Sequence, residues 1–304
     1  MGWKIIFGFA FFLFAVSSIF IYWFVPSEGI EFIAKPEFKG NYNFSVGNEK
    51  MQFYENMRYP SSEISYRIDD CPLQKKKDME DAFEILQNLT VLKFYPVQGS
   101  EEISVHCEEK IRIDENFFVA GEGGPVNITR TSNFNVILHG AILLLKNSEC
   151  ERSNIAIHEL LHSLGFEHSQ NPKNIMHNIS RCSQTIGEDI PELINKIYSV
   201  EQNPDLSFEN ASASVKGRYL DVNLTVRNNG LENSNAARVE IYADGEKVKE
   251  SEVKPIGIGY GYSMTFGNIY VPKISVSELR IIINSSFEEL DKKNNEIALS
   301  VKLN

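Results

Sequence analysis

The stretch His158-Glu-Leu-Leu-His162-Ser-Leu-Gly165-Phe-Glu-His168 constrains this chain more than any other feature. On a helix, His158 and His162 lie one turn apart on the same face, so two imidazoles can bind one metal ion. Glu159 is rotated by about 100° around the helix axis and can lie beside the metal without binding it. His-x-x-x-His alone is typical of an ordinary buried helix, but here three of the six histidines of the chain fall in one pattern.

The third histidine requires the chain to turn. In a continuous helix His168 would lie about 15 Å from His158 along the axis, too far to bind the same ion. Gly165 can adopt the positive φ that ends a helix and turns the chain back. Three neutral histidines leave one tetrahedral position open, which is typical of catalytic zinc. Because zinc lowers the pKa of its water towards about 7, Glu159 is predicted to act as general base and then as general acid.

The pattern resembles the zinc signature of the metzincin metallopeptidases, H-E-x-x-H-x-x-G-x-x-H followed by a turn that contains Met. Met176 follows at the expected distance, and the run from His168 to Met176, with Ser169 after the third histidine, most resembles the matrixin branch. Gly121-Glu-Gly-Gly124 is similar to the segment that leads into the matrixin substrate-binding strand. The resemblance implies one catalytic Zn²⁺ ion, with Met176 as an apolar floor beneath it.

The same resemblance implies the cleavage of peptide bonds in extended polypeptides, which would pair with Val126–Arg130. Two features depart from the family. No cysteine lies in residues 26–60, so the cysteine-bearing propeptide of the matrixins has no counterpart. Asn178 occupies the position where astacin-like relatives carry a Tyr that assists the oxyanion. The sequence assigns no calcium site.

The predicted fold class is α+β, with a metzincin-type catalytic domain followed by an all-β antiparallel sandwich. We assign residues 1–25 to a transmembrane anchor, 26–58 to a stalk, 59–202 to the protease domain and 205–304 to the sandwich. In the last region short alternating strands end at turn signals such as Asn228-Asn-Gly230. Leu220–Gly230 and Glu288–Asn295 resemble the CARDB-type adhesion module of prokaryotic exported proteins, which implies either a surface- or substrate-binding module or a spacer.

The N-terminus predicts where the chain is located. Residues 5–25 carry no charge, and such a length crosses about 30 Å of hydrocarbon as a helix. Lys4 precedes this run while Glu28 and Glu31 follow it, so the N-terminus is predicted to be cytoplasmic and the domains extracytoplasmic. A cleaved signal peptide is the alternative, although its apolar region is usually only about 7–15 residues long. Both interpretations place the domains outside the cytoplasm.

The cysteines and the net charge agree with an exported protein. The four cysteines lie beyond the apolar run and are expected to form two disulfides, with three possible connectivities. Cys71–Cys107 and Cys150–Cys182 are preferred because each pair brackets one compact segment. The net charge of −11 argues against a nucleic-acid partner.

The sequence therefore predicts a zinc-dependent endopeptidase at the extracytoplasmic membrane surface that acts on polypeptides, with zinc ligands His158, His162 and His168. A catalytically silent zinc-containing adhesion protein is one alternative, and a metal-free structural surface protein is another. Cleavage preference, physiological substrate, latency and oligomeric state stay open at this point.

Overall fold

Two β-sheets organise the chain in the computed structural model, which describes residues 2–24, 29–34, 42, 44–46, 50–109, 112–114, 117–145, 150, 153–273 and 276–301. The helices are α1 (Gly2–Phe24), α2 (Leu73–Leu89), α3 (Asn154–Ser163) and α4 (Asp189–Ile197), with a 3₁₀ turn at Lys292–Asn295. The strands before residue 150 are β1 (Ile30–Ile33), β2 (Met57–Arg58), β3 (Glu63–Asp69), β4 (Lys93–Pro96), β5 (Ile103–Cys107), β6 (Arg112–Asp114), β7 (Phe117–Val119), β8 (Gly121–Arg130) and β9 (Asn135–Leu144). The later strands are β10 (Leu206–Lys216), β11 (Tyr219–Asn228), β12 (Ala237–Ala243), β13 (Glu246–Val253), β14 (Gly261–Tyr270), β15 (Leu279–Asn284) and β16 (Glu296–Val301).

The first sheet is mostly parallel. Its order is β2-β9-β5-β3-β4, and all four of these pairings are parallel. The amphipathic helix α2 covers one face, because Met79, Phe83 and Leu86 recur at three- and four-residue spacing and are buried. Helix α3 lies between α2 and β8, and its apolar residues join the same core.

Strand β8 forms the edge of this sheet. It pairs antiparallel with β9, from Gly121 opposite Leu144 to Arg130 opposite Asn135. Because β2 and β5 occupy the other side of β9, β8 can lie only on the outer side. In the described part of the chain no strand pairs with the outer edge of β8. That edge therefore presents backbone groups of the kind that bind an added strand.

The second sheet system is an antiparallel sandwich. Its strands follow the order β13-β12-β15-β16-β1-β10-β11-β14 and enclose one apolar core. Along β11, Leu220, Val222, Leu224 and Val226 are buried in strict alternation, as a half-buried strand requires. The N-terminal strand β1 is part of this sandwich, since it pairs antiparallel with both β10 and β16. Phe32 of β1 is fully buried in the core.

The helices and strands fall within the regions assigned from the sequence. The protease region 59–202 contains α2 to α4 and β3 to β9, and the region 205–304 contains β10 to β16. Residues 30–33, assigned to a stalk, form β1 instead, and several other residues of that segment lie outside those described.

The membrane anchor was predicted for the region that α1 covers. Among the described residues, no helix is both long and apolar enough to cross a membrane, so this prediction is not supported.

The two sheet systems share a small apolar contact. Phe134 and Val136 of the first pack with Leu231 and Ile258 of the second, and all four are buried. A hydrogen bond also joins the two sheet systems: the backbone N–H of Ser132 donates to Oδ1 of Asn229 at 3.1 Å. The sandwich therefore contacts the turn that joins β8 to β9.

Candidate metal centre

Helix α3 and the turn after it bring the predicted metal ligands together. His158 and His162 are buried on one face of α3. The helix ends at Ser163, and Gly165 follows with a φ of +94°, which turns the chain as predicted from the sequence. This turn returns His168 to the helix, so that ligand atoms of the three histidines all lie within 4.8 Å of one another.

The three imidazoles point their Nε2 atoms at a common centre. The separations are 3.0 Å for His158 and His162, 3.1 Å for His162 and His168, and 3.2 Å for His158 and His168. Nδ1 of His158 lies 2.7 Å from the carbonyl oxygen of Ile175, and Nδ1 of His162 lies 2.8 Å from that of Phe166. Because a carbonyl only accepts, both Nδ1 atoms carry the proton and both Nε2 atoms offer a lone pair.

This donor set fits a zinc ion. Zinc bound by nitrogen at about 2.0–2.1 Å in tetrahedral geometry places its ligand atoms about 3.4 Å apart, close to the separations found here. Burial lowers the pKa of His158 to about 4 and that of His162 to about 3, so both rings are neutral near pH 7. The Nε2 lone pairs of His158 and His162 point at a common centre, and a cation there would bind both together with His168. The backbone carbonyls that accept from Nδ1 hold the rings in place, as outer partners do in zinc sites.

Glu159 belongs to α3, and it contacts the N-terminal half of β8. It is only 6% exposed, and its pKa is raised to about 8. Burial is the main cause and the charge of Glu122 the second, while a hydrogen bond from the backbone of Gly123 acts in the opposite direction. Strand β8 approaches so closely because Gly121 and Gly123 have no side chains; a Cβ on Gly123 would lie 2.2 Å from the backbone oxygen of Glu159.

The turn that contains Met176 follows the third histidine and contacts the residues around it. Met176 is buried in the core that underlies α3, and its backbone oxygen accepts from the N–H of Ser169 at 2.9 Å. The N–H of Met176 donates to Oδ1 of Asn174 at 2.8 Å, which fixes the turn. The role of Met176 as an apolar floor beneath the zinc site stays a prediction. Asn178, at the position of the missing Tyr, is exposed.

Two disulfides hold the segments around the centre. Cys71–Cys107 links the start of α2 to the end of β5, and Cys150–Cys182 links the segment before α3 to the segment after the Met176 turn. This is the pairing preferred from the sequence. All four cysteines are therefore bonded, and none is free.

The sequence missed several contributors to the centre. The carbonyls of Ile175 and Phe166 orient two ligands, but a backbone acceptor leaves no signal in residue identity. Phe53 stacks on His162 with ring centroids 5.8 Å apart, although it lies before the predicted start of the domain. The sequence singles out Gly121–Gly124 by its resemblance to a substrate-binding segment, but the contact of this segment with Glu159 depends on the fold.

The fold and the three converging histidines define a zinc metallopeptidase. Comparison with protein families agrees, because the model of the Astacin peptidase family matches residues 51–212. This match spans more than half of the chain, and the chain therefore belongs to the astacin family. The matrixin branch predicted from the sequence is not confirmed, since astacins form a different branch of the metzincins. The matching run from His168 to Met176 is too short to separate the two branches.

The C-terminal region matches a second family model. The CARDB model covers residues 203–299, as predicted from the sequence. Two similar solved structures are the CARDB domain of a Pyrococcus furiosus protein in complex with di-metal ions and a domain of a putative cell surface protein from Methanosarcina acetivorans. Their identities are 20% and 18%, each covers 33% of this chain and 90% or 93% of its own, and the TM-scores are 0.26 and 0.28. No curated protein matches the chain.

Proposed function

We propose that this protein is an extracytoplasmic zinc endopeptidase that hydrolyses peptide bonds in extended polypeptide segments. The observation that carries the proposal is the position of Glu159, which follows the ligand His158 on α3 and packs against Gly121 and Gly123 of β8. A zinc ion held by His158, His162 and His168 supplies a Lewis acid and a water of lowered pKa.

Glu159 moves the proton in this proposal. Burial raises the pKa of Glu159 in the metal-free chain, and a zinc ion at the three histidines would lower it again, so that the group would be a carboxylate able to accept a proton near neutral pH. The carboxylate accepts the proton of the attacking water and then donates it to the departing amine. Glu159 does not turn towards solvent, because β8 covers it and Gly123 donates a hydrogen bond to it.

In this proposal the substrate adds as a β-strand to the free edge of β8. An extended polypeptide that adds to this edge has its backbone hydrogen-bonded while one of its peptide bonds lies over α3. An endopeptidase needs such a groove to be open at both ends, and an edge strand provides it. Because Asn178 replaces the Tyr of astacin-like relatives and is exposed, the proposal assigns it no role with the oxyanion.

The extracytoplasmic location rests on the two disulfides. Disulfides persist in oxidising compartments and are rare in the cytosol. The bridge Cys150–Cys182 closes a loop that contains all three histidines, so the proposed activity is expected to depend on an oxidised chain.

The test pairs zinc content with cleavage of a mixed peptide library by the full chain. Wild type and Glu159→Gln should each bind one zinc ion, and only the wild type should cleave. Glu192→Gln is the matched control, because Glu192 is exposed on α4 and its ion pair with Lys196 lies far from the ligands in sequence. Retention of activity by zinc-loaded Glu159→Gln would refute the role of Glu159. Zinc in all three proteins with cleavage in none would favour a zinc-containing surface binding protein.

A further inference from the structure

We infer that the C-terminal sandwich is part of the substrate groove, and that Tyr260 contacts the portion of an extended polypeptide substrate that lies upstream of the cleaved bond. This inference rests on the function proposed above. It adds a second contact region, outside the metal centre and on a different domain. Strand β8 connects the two regions.

The two ends of β8 lie against different parts of the molecule. At the start of the strand, Gly121 and Gly123 contact Glu159. Seven residues beyond Gly123, the strand ends at Arg130, about 23 Å away at 3.3 Å per residue. A polypeptide that pairs with the whole free edge therefore leaves the metal centre and reaches the end of β8.

The sandwich contacts the free edge at this far end. The N–H of Thr131 donates to the carbonyl of Phe134, across the turn and towards β9. Because the carbonyl of the preceding residue points the opposite way in a trans peptide, the oxygen of Arg130 faces the free edge. Nη2 of Arg227, from β11 of the sandwich, donates to this oxygen at 3.0 Å. Arg227 thus occupies the last acceptor that an added strand would use.

A close backbone contact places Tyr260 beside the same end. A Cβ on Gly259 would lie 2.5 Å from Oγ1 of Thr129 and 3.3 Å from the oxygen of Arg130. Next to it, Tyr260 is 68% exposed, although the backbone around it is fixed: its carbonyl accepts from the N–H of Asn228 at 3.0 Å. A large ring on a fixed backbone, open to solvent, suits a contact with a partner.

Exposed apolar side chains also lie on the half of β8 that ends beside Gly259. Val126 is 63% exposed and Ile128 is 37% exposed, and both belong to the half of β8 that is nearer to Tyr260. An unpaired strand edge with apolar side chains binds an extended peptide through backbone hydrogen bonds and side-chain contacts. The occupant is therefore a polypeptide strand with apolar residues, as a protease substrate provides.

The direction of the strand decides which part of the substrate meets Tyr260. Antiparallel pairing is the more stable arrangement and continues the pairing of β8 with β9. Because β8 runs away from Glu159 towards Arg130, an antiparallel substrate runs towards Glu159. Its residues near Tyr260 therefore lie N-terminal to the cleaved bond, about six to eight residues upstream at one residue per 3.3 Å.

The experiment uses the zinc-loaded full chain and quenched fluorescent peptides built on a sequence that the wild type cleaves. One peptide is short, one is extended by about eight alternating Val and Thr residues on the N-terminal side, and one is extended equally on the C-terminal side. For the wild type we expect kcat/KM to rise about tenfold with the N-terminal extension only, as a buried aromatic contact and added strand pairing predict. In Tyr260→Ala this rise should fall to about twofold.

Matched variants make the result specific. Tyr219→Ala removes a ring of similar exposure, 53%, at the opposite end of β11, and should keep the full rise. Tyr260→Phe should also keep it, because the ring and not the hydroxyl makes the contact. A rise that survives Tyr260→Ala, or an equal rise with either extension, overturns the inference while the proposed function stands. If the wild type cleaves none of the library, the proposed function itself fails, and this inference fails with it.

Discussion

Replacement of Gly123 by Ala should lower kcat/KM and leave the zinc content unchanged. The added Cβ would lie 2.2 Å from the backbone oxygen of Glu159 and 2.8 Å from its carbonyl carbon. An ordinary contact between such atoms is about 3.2 Å or more, so β8 must move by about 1 Å relative to α3. The overlap is with backbone, which cannot rotate away as a flexible side chain does.

The magnitude follows from this displacement. A misplacement of about 1 Å in a catalytic arrangement costs about 10²-fold in rate, and we expect a loss of that order in kcat/KM. Overpacking of this kind destabilises a protein by about 1–3 kcal/mol, so the folded state should survive. Zinc content should stay at one ion per chain, because all three ligands lie on α3 or after it and none on β8.

The assay measures kcat/KM, zinc stoichiometry and thermal unfolding of Gly123→Ala beside Gly124→Ala. Gly124 is the control, because a Cβ there would meet nothing within 4 Å. Equal kcat/KM values for the two variants would refute the reasoning. So would a loss of zinc in proportion to activity, since that would place the damage at the ligands and not at Glu159.

Three further predictions concern stability. In the metal-free protein the pKa values of His158 and His162, about 4 and 3, lie below the unfolded value of 6.5, so the unfolded state binds more protons at these two sites. Below about pH 6 they outweigh Glu159, whose raised pKa has the opposite effect, and the free energy of unfolding should fall as pH falls from about 6 to 3; urea titrations at several pH values would detect it, and a pH-independent midpoint would contradict it. Leu231→Ala opens a cavity between the two sheet systems and should cost about 2–5 kcal/mol by urea denaturation, whereas a cost near zero would mean that the contact is not formed in solution. Replacement of Cys71 and Cys107 by Ser should cost about 2–4 kcal/mol in the same assay, and an unchanged midpoint would argue that the bridge is absent.

Local features of this protein were predictable, and long-range ones were not. The spacing of His158, His162 and Gly165 determines a helix and a turn within a few residues, so the sequence alone predicts that the ligands converge. The contact of Gly123 with Glu159 joins two segments that are distant in the sequence, and no pattern in either segment reports it. Strand β1 was missed for a similar reason, because four residues are too few to show a period.

The position of β1 sets an order for the folding of a newly made chain. Ile30 pairs with Val215, and Phe32 pairs with both Ala213 and Val301, so the first strand finds its neighbours only after the chain has been synthesised as far as β16. The protease domain, whose strands and helices lie between Met57 and Ile197, can fold before that time. Contacts between distant parts of a chain form slowly. We therefore expect the metal centre to assemble while β1 still lacks its partner strands β10 and β16, and the closing of that sheet to come after it.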